Sequence, residues 1–117
     1  MATRFELVPH HDRLTFNLRT AEGEILLTGL GSSSSKIMVQ NEIQHVRSAL
    51  KDRANLVPHH GKDGSHWVVL KDHDGSVLAK SPHVADAHAR QALETRLLEV
   101  AGKAPIVDLV KRATPAH

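Results

Sequence analysis

The sequence predicts an α+β fold in which two tandem β3-α-β repeats form one mainly antiparallel sheet with two helices on one face. The first observation is a five-residue string, LVPHH, which occurs at residues 7–11 and again at 56–60. The second is the pattern after each copy, where alternating apolar and polar stretches precede a stretch of helical period. The third is size, because 117 residues with 40% hydrophobic composition suffice for one core.

Three short stretches of the first repeat favour strands. Residues 5–8 are rich in strand-forming side chains, and we expect Pro9 to end that strand. Residues 14–19 alternate strictly between apolar and polar side chains, which is typical of a half-buried strand. Residues 24–28 form the third stretch, and Gly23 just before them predicts a hairpin with a bulged turn.

A loop rich in glycine and serine, residues 29–35, leads into the first helix. Apolar side chains then recur at spacings of four, three and four, which indicates one buried stripe made of Val39, Ile43, Val46 and Leu50. We expect a serine of the loop to cap this helix, and we expect the helix to end near Asp52.

The second repeat has the same order of elements. Its strands are predicted at residues 54–58, 67–71, 76–79 and 107–110, the last of which repeats the pattern of the first. Asp86 is the expected cap of a second helix, which runs to about Val100 and is stopped by Gly102.

We expect one domain, built of a first repeat at residues 4–53 and a second at 54–112, followed by a flexible tail at 113–117. A three-stranded unit with one helix buries its single apolar face poorly when alone. Two such units that share a sheet make an adequate core. The strand after each helix can serve as the fourth strand of one unit.

The first repeat contains short motifs that occur together in one known family. These motifs are Phe5-x-Leu7, Phe16-x-Leu18, Gly23-Glu24-x-x-Leu27-Thr28, Ser35-Lys36, Ile43 and Val46-Arg47. With them the sequence resembles the YegP-like family of small tandem-repeat proteins. The resemblance implies tandem β3-α-β units, or dimers of single units, that form one sheet with exchanged C-terminal strands. That family has no established biochemical activity, so the resemblance implies a fold and no function.

Composition excludes several classes of site. The chain has no cysteine, which excludes a disulfide scaffold, a thiol nucleophile and cysteine-ligated zinc. No stretch approaches the roughly 18–20 apolar residues of a membrane span, and the start lacks the apolar run of a signal peptide. We therefore expect a cytoplasmic protein with no membrane contact. A net charge of +2 is too small to imply a polyanion, so we do not expect nucleic acid as a partner.

Ten histidines are the unusual feature of the composition. His10 with His11, and His59 with His60, follow equivalent strands, and each pair can direct one imidazole toward a shared divalent metal. A third ligand would come from His66, His73, His83 or His88. The alternative is that these are exposed turn histidines, duplicated together with the repeat.

The outer face of the predicted sheet is the second candidate site. If Phe16 and Leu18 face the helices, the same register directs Trp67, Val69 and Lys71 to the opposite face. Exposed apolar clusters on a sheet mark partner contacts, and tryptophan is a frequent anchor. We expect this face to bind a second copy of the chain, as a homodimer, or another protein. The alternative is that a loop or the termini cover Trp67.

Three further hypotheses have less support. The loop before Lys36 offers N–H groups and hydroxyls to a phosphate, but its spacing is not that of a P-loop. A sheet that stacks bases needs several exposed aromatic side chains, and Trp67 is the one candidate. No nucleophile, base and orienting group can be assembled, so we expect neither catalysis nor a cofactor.

These observations together favour a small, soluble, non-enzymatic binding or accessory protein whose ligand the sequence does not identify. The alternative is a histidine-based protein that binds a divalent metal through His10, His11, His59 and His60.

Overall fold

The computed structural model describes residues 3–31, 33–100 and 103–110, which form seven strands and two α-helices. In chain order the elements are β1 Arg4–His10, β2 Arg13–Arg19, β3 Ile25–Gly29, α1 Lys36–Ala49, β4 Leu56–His60, β5 His66–Lys71, β6 Val77–Lys80, α2 Ala87–Val100 and β7 Ile106–Asp108. A 3₁₀ turn at Arg53–Asn55 joins α1 to β4. Three strands followed by a helix therefore occur twice before β7.

The seven strands form one mixed sheet in the order β4-β5-β6-β3-β2-β1-β7. All neighbours are antiparallel except β7, which pairs in parallel with β1. The halves meet where Thr28 and Gly29 of β3 pair with Lys80 and Ala79 of β6, a junction that we call the seam. The α+β class predicted from the sequence is confirmed, and β7 from the second half pairs with the outer strand of the first.

The same hydrogen bonds close the two hairpins next to the seam. The N–H of Thr20 donates to the carbonyl of Glu24 at 2.8 Å, and the equivalent bond from Asp72 is also 2.8 Å long. Gly23 and Gly75 have φ values of 91° and 88°, a conformation that favours glycine. The strand register shifts beside each turn, so the bulged turn predicted at Gly23 is confirmed.

Strand β1 runs through Pro9, so the prediction that this proline ends the strand is wrong. Pro9 lies opposite Leu14, whose N–H and carbonyl both bond to Ser33 on the other side, at 2.7 and 2.9 Å. The pair therefore makes no ladder hydrogen bond, and the missing proline N–H faces away from β2. Pro58 occupies the equivalent place in β4, opposite Val68.

Helix α1 ends at Ala49, earlier than the predicted end near Asp52. The Asp52 carboxylate instead accepts the N–H of Ala54 at 2.9 Å and so caps the 3₁₀ turn. Ser35 occupies the N-cap position, but its side chain makes no cap hydrogen bond. The hydroxyl of Ser33 accepts the N–H of Ser35 at 3.1 Å, so a serine side chain bonds the loop backbone two residues before the N-cap position.

Helix α2 begins as the sequence predicts, because Oδ1 of Asp86 accepts the N–H of Ala89 at 2.8 Å. The predicted stop at Gly102 and the predicted tail at 113–117 lie outside the described residues. Neither of the two described helices is long and apolar enough to cross a membrane.

Replacing Asp86 with alanine is expected to lower the free energy of unfolding by about 1 kcal/mol, because α2 loses the acceptor for one of its first N–H groups. Urea denaturation followed by circular dichroism measures the change. Asp12→Ala is the matched control, since Asp12 lies exposed in the β1–β2 turn, and its effect should stay within about 0.5 kcal/mol. Equal losses in the two variants would contradict the capping role.

Both helices pack on one face of the sheet around one apolar core. Its largest fully buried side chains are Phe5, Leu7, Phe16, Leu18, Leu26, Leu27, Val39, Ile43, Val46, Leu50, Leu70 and Leu97. The helical stripe predicted from Val39 to Leu50 is thereby confirmed. The remaining alternate strand positions form the opposite surface of the sheet, which we call the outer face.

Candidate functional site

The outer face carries an excess of positive charge. Its charged strand positions are Arg4, Glu6, Arg13, Arg19, Lys71 and Lys80. Five cations and one carboxylate give these positions a formal charge of +4, against +2 for the whole chain. The face therefore favours anions over cations in its surroundings.

Glu6 is a buried carboxylate on this face, with 4% of its side chain exposed. Its two oxygens accept hydrogen bonds from Nε of Arg4 and Nε of Arg19, each at 2.8 Å. Arg19 also donates from Nη1 to the carbonyl of Gly23 at 2.7 Å. The carboxylate therefore fixes the Arg19 guanidinium beside the β2–β3 turn.

Trp67 lies on the outer face between two imidazole rings. The ring centre of His59, opposite it on β4, is 5.7 Å away at an interplanar angle of 12°. The ring centre of His83, from the segment after β6, is 4.2 Å away at 11°. Trp67 is half-buried and both histidines are exposed, so stacking holds a partly exposed indole in one orientation. The surface that we call the Trp67 patch consists of Val57, His59, Trp67 and His83, together with Val69, whose side chain is buried.

The structure places Trp67, Val69 and Lys71 on the outer face, where the register of the sequence predicts them. Their role as contacts with a partner stays a prediction. The stacking of His59 and His83 on the indole was not predictable from residue patterns, because it depends on which segments lie on either side of β5.

The β4–β5 loop lies next to the indole. A Cβ added to Gly61 would lie 3.5 Å from Cζ3 of Trp67, an ordinary van der Waals distance, so the loop passes beside the ring. Oδ1 of Asp63 accepts the Ser65 hydroxyl at 2.7 Å and the Ser65 N–H at 3.0 Å. These two bonds, with a smaller contribution from the charge of His83, hold the pKa of Asp63 below its ordinary value. The loop therefore adds a charged carboxylate near the stack.

Two adjoining cavities of about 370 and 350 Å³ open along the seam, and both are lined by Ile25 and Pro82. After Lys80 the chain continues along β5, where the N–H of Ser81 donates to the carbonyl of Val68 at 2.9 Å. Strands β3 and β6 join through two residue pairs and a hydrogen bond from the Leu30 N–H to the Leu78 carbonyl at 3.3 Å, and they diverge on the side of Ile25 and Pro82. This divergence leaves the space that we call the seam cleft.

The four histidines predicted as metal ligands do not meet at one point. The rings of His10 and His11, at the end of β1, are 4.7 Å apart. His59 and His60 lie in β4, with four strands in between, which corresponds to about 24 Å at ordinary strand spacing. Within residues 3–31, 33–100 and 103–110, no three or more histidine, cysteine or acidic side chains form a group suited to a metal. Metal binding by His10, His11, His59 and His60 stays a prediction, which zinc calorimetry at neutral pH tests.

The lysine of the glycine- and serine-rich loop is engaged elsewhere. Nζ of Lys36 donates to Oδ2 of Asp108 in β7 at 2.7 Å. Gly31 lies beside a carboxylate, since a Cβ there would be 3.0 Å from Oε1 of Glu42. Ser32 lies outside the described residues. A paired lysine and a nearby carboxylate both disfavour phosphate at this loop, and phosphate titration by amide NMR tests that hypothesis.

Two solved structures have the same fold as this chain. One is the solution NMR structure of yegP from E. coli, a protein of unknown function, with 24% sequence identity and a TM-score of 0.82 over 93% of this chain and 94% of that one. The other is the solution NMR structure of UPF0339 protein SO3888 from Shewanella oneidensis, with 21% identity and a TM-score of 0.85 over 100% of this chain and 99% of that one. No protein-family model and no curated protein matches the sequence. The YegP-like fold predicted from the sequence is confirmed.

Proposed function

We propose that this chain, a tandem repeat of one β3-α-β unit, is a cytoplasmic, non-enzymatic binding protein. It works without a cofactor and associates with a second copy of itself through the Trp67 patch. The observation that supports this most is the stacked Trp67 on a sheet face opposite both helices. The half-buried indole and the partly exposed Val57 still present apolar surface there, and a tryptophan held in place is a frequent anchor.

The distribution of charge favours a second copy as the partner. The arginines of the outer face, Arg4, Arg13 and Arg19, lie in the first half, whereas the Trp67 patch lies mainly on β4 and β5. Two copies related by a two-fold axis through the patch bring apolar surfaces together and keep the arginines at opposite ends. Lys71 then lies at the rim of the contact, where its charge stays hydrated.

Trp67→Ala is expected to weaken self-association about thirtyfold, because a central aromatic anchor contributes about 2 kcal/mol to such a contact. Static light scattering over a concentration series measures the dimer fraction. Met38→Ala is the matched control, since Met38 is an apolar side chain of α1 with 60% exposure and lies away from the patch. Circular dichroism of each variant shows that it remains folded.

An unchanged oligomeric state in Trp67→Ala, with an unchanged set of bound proteins, would contradict the proposal. If the wild-type chain stays monomeric and Trp67→Ala loses a different bound protein, the patch is still the contact surface. The partner is then that protein and not a second copy of the chain.

A further inference from the structure

We infer that the seam cleft binds a small amphipathic anion, which means an apolar body with one carboxylate or phosphate group. The site goes beyond the proposed self-association, because it lies between β3 and β6 and needs no second copy. It shares His83 with the Trp67 patch. Shape and charge support the inference independently.

The dimensions of the seam cleft suit a small molecule. Its two cavities measure about 370 and 350 Å³, and small-molecule sites ordinarily occupy roughly 300–1,000 Å³. The apolar side chains in its wall are Ile25, Leu30, Pro82, Val84 and Leu93. Since Ile25 and Pro82 line both cavities, one ligand can extend from the first into the second.

Lys80 is the cation available to a bound anion. Its side chain lines the smaller cavity, and within residues 3–31, 33–100 and 103–110 it makes no ion pair. Its ammonium lies 5.8 Å from the ring centre of Trp67, a contact that leaves hydrogen-bond donors free. An anion in the cleft therefore gains a charge-assisted hydrogen bond from Lys80.

The other charges of the cleft leave its potential positive. Arg19 lines the larger cavity and is held in place by Glu6. Glu24 is the carboxylate among the described lining residues, and Nη1 of Arg96 donates to it at 2.8 Å. Because these charges are paired, Lys80 dominates the field, and the cleft prefers an anionic ligand to a neutral one.

A nucleic-acid strand fits this surface less well than a small anion. Bases that bind a sheet stack on open aromatic faces, and His59 and His83 already stack on the indole of Trp67. A small ligand needs no open ring face, since the apolar wall of the cleft receives its body. Single-stranded RNA therefore serves as the competing probe in the test.

The first probe is octanoate, compared with octanol of equal chain length and with inorganic phosphate, which has no apolar body. In amide NMR titrations we expect saturable shifts by octanoate at Ile25, Thr28 and Lys80. Octanol and phosphate should bind about tenfold more weakly, because each lacks one half of the interaction. Phenyl phosphate then shows whether the cleft prefers a phosphate or a carboxylate head, and either preference supports the inference.

Lys80→Gln is expected to weaken octanoate binding about tenfold. Lys62→Gln, a substitution at an exposed lysine of the β4–β5 loop, is the matched control and should leave the affinity unchanged. Ile25→Ala should weaken octanoate and octanol alike, because it removes part of the apolar wall. The dispersion of the amide spectrum shows that each variant is folded.

Three outcomes would overturn the inference: no saturable shifts at the seam, equal affinity for octanoate and octanol, or unchanged affinity in Lys80→Gln. Shifts produced by single-stranded RNA and not by the small anions would also overturn it and would assign the surface to a polyanion.

Discussion

Replacing Gly29 with alanine is expected to lower the free energy of unfolding by about 2–3 kcal/mol, because the added methyl group collides with a core ring. A Cβ on Gly29 would lie 2.5 Å from Cε1 and 2.7 Å from Cδ1 of Phe16, whose side chain is fully buried. Neither group has room to move, since the ring packs in the core and Gly29 pairs with Ala79 across the seam. Urea denaturation measures the loss.

Gly31→Ala is the matched control for Gly29→Ala. The nearest atom to a Cβ on Gly31 is Oε1 of Glu42, which ends a flexible side chain, so the cost should stay within about 0.5 kcal/mol. Phe16→Leu combined with Gly29→Ala should lose less than the sum of the two single losses, because the smaller side chain makes room for the methyl group. Additive losses, or equal losses at the two glycines, would contradict the close contact.

Glu6→Ala is expected to lower the free energy of unfolding by about 2–3 kcal/mol as well. The Glu6 carboxylate is buried and holds Arg4 and Arg19 at 2.8 Å each. Arg4 and Arg19 lie directly opposite each other on β1 and β2, so removing the carboxylate leaves two like charges side by side. Urea denaturation at low and high salt measures the loss, which salt should reduce by screening the repulsion.

Glu22→Ala is the control for charge loss at this end of the sheet. Glu22 is exposed in the β2–β3 turn, so its substitution should change stability by no more than about 0.5 kcal/mol. Glu6→Gln retains the shape of the side chain and should lose less than Glu6→Ala. If Glu6→Ala cost no more than Glu22→Ala, the proposed role of the buried carboxylate would be wrong.

The succession of strands, helices and turns along the chain was predictable because local patterns decide it, whereas the ends of β1 and α1 were not. The strand at residues 14–19 and the turn at Gly23 are each determined by residues that are neighbours along the chain. The order of the strands depends on contacts between distant segments, and no residue pattern marks Thr28 and Lys80 as the pair that joins the halves. The error at Pro9 has the same origin, since a proline ends a strand only where a neighbouring strand needs its N–H.

The candidate site was predictable to the same extent. The period of two in β5 was enough to place Trp67 on the outer face. Because the halves join through β3 and β6, equivalent positions such as His10 and His59 lie at opposite ends of six strands. His83 belongs to no motif, and it reaches Trp67 because the chain after β6 continues along β5. The seam cleft also depends on the path of the chain after β6, so no residue pattern predicted it.

The single tryptophan of the chain offers the most direct test that the outer face is the binding surface. Its indole N–H gives one resonance in a heteronuclear NMR spectrum, so a dilution series follows Trp67 without overlap. Association through the Trp67 patch predicts that this resonance shifts with concentration, together with the amides of Val69 and Lys71, while those of Ile37 and Met38 in α1 stay in place. Shifts confined to α1, or a Trp67 resonance that stays constant where light scattering shows association, would contradict the account.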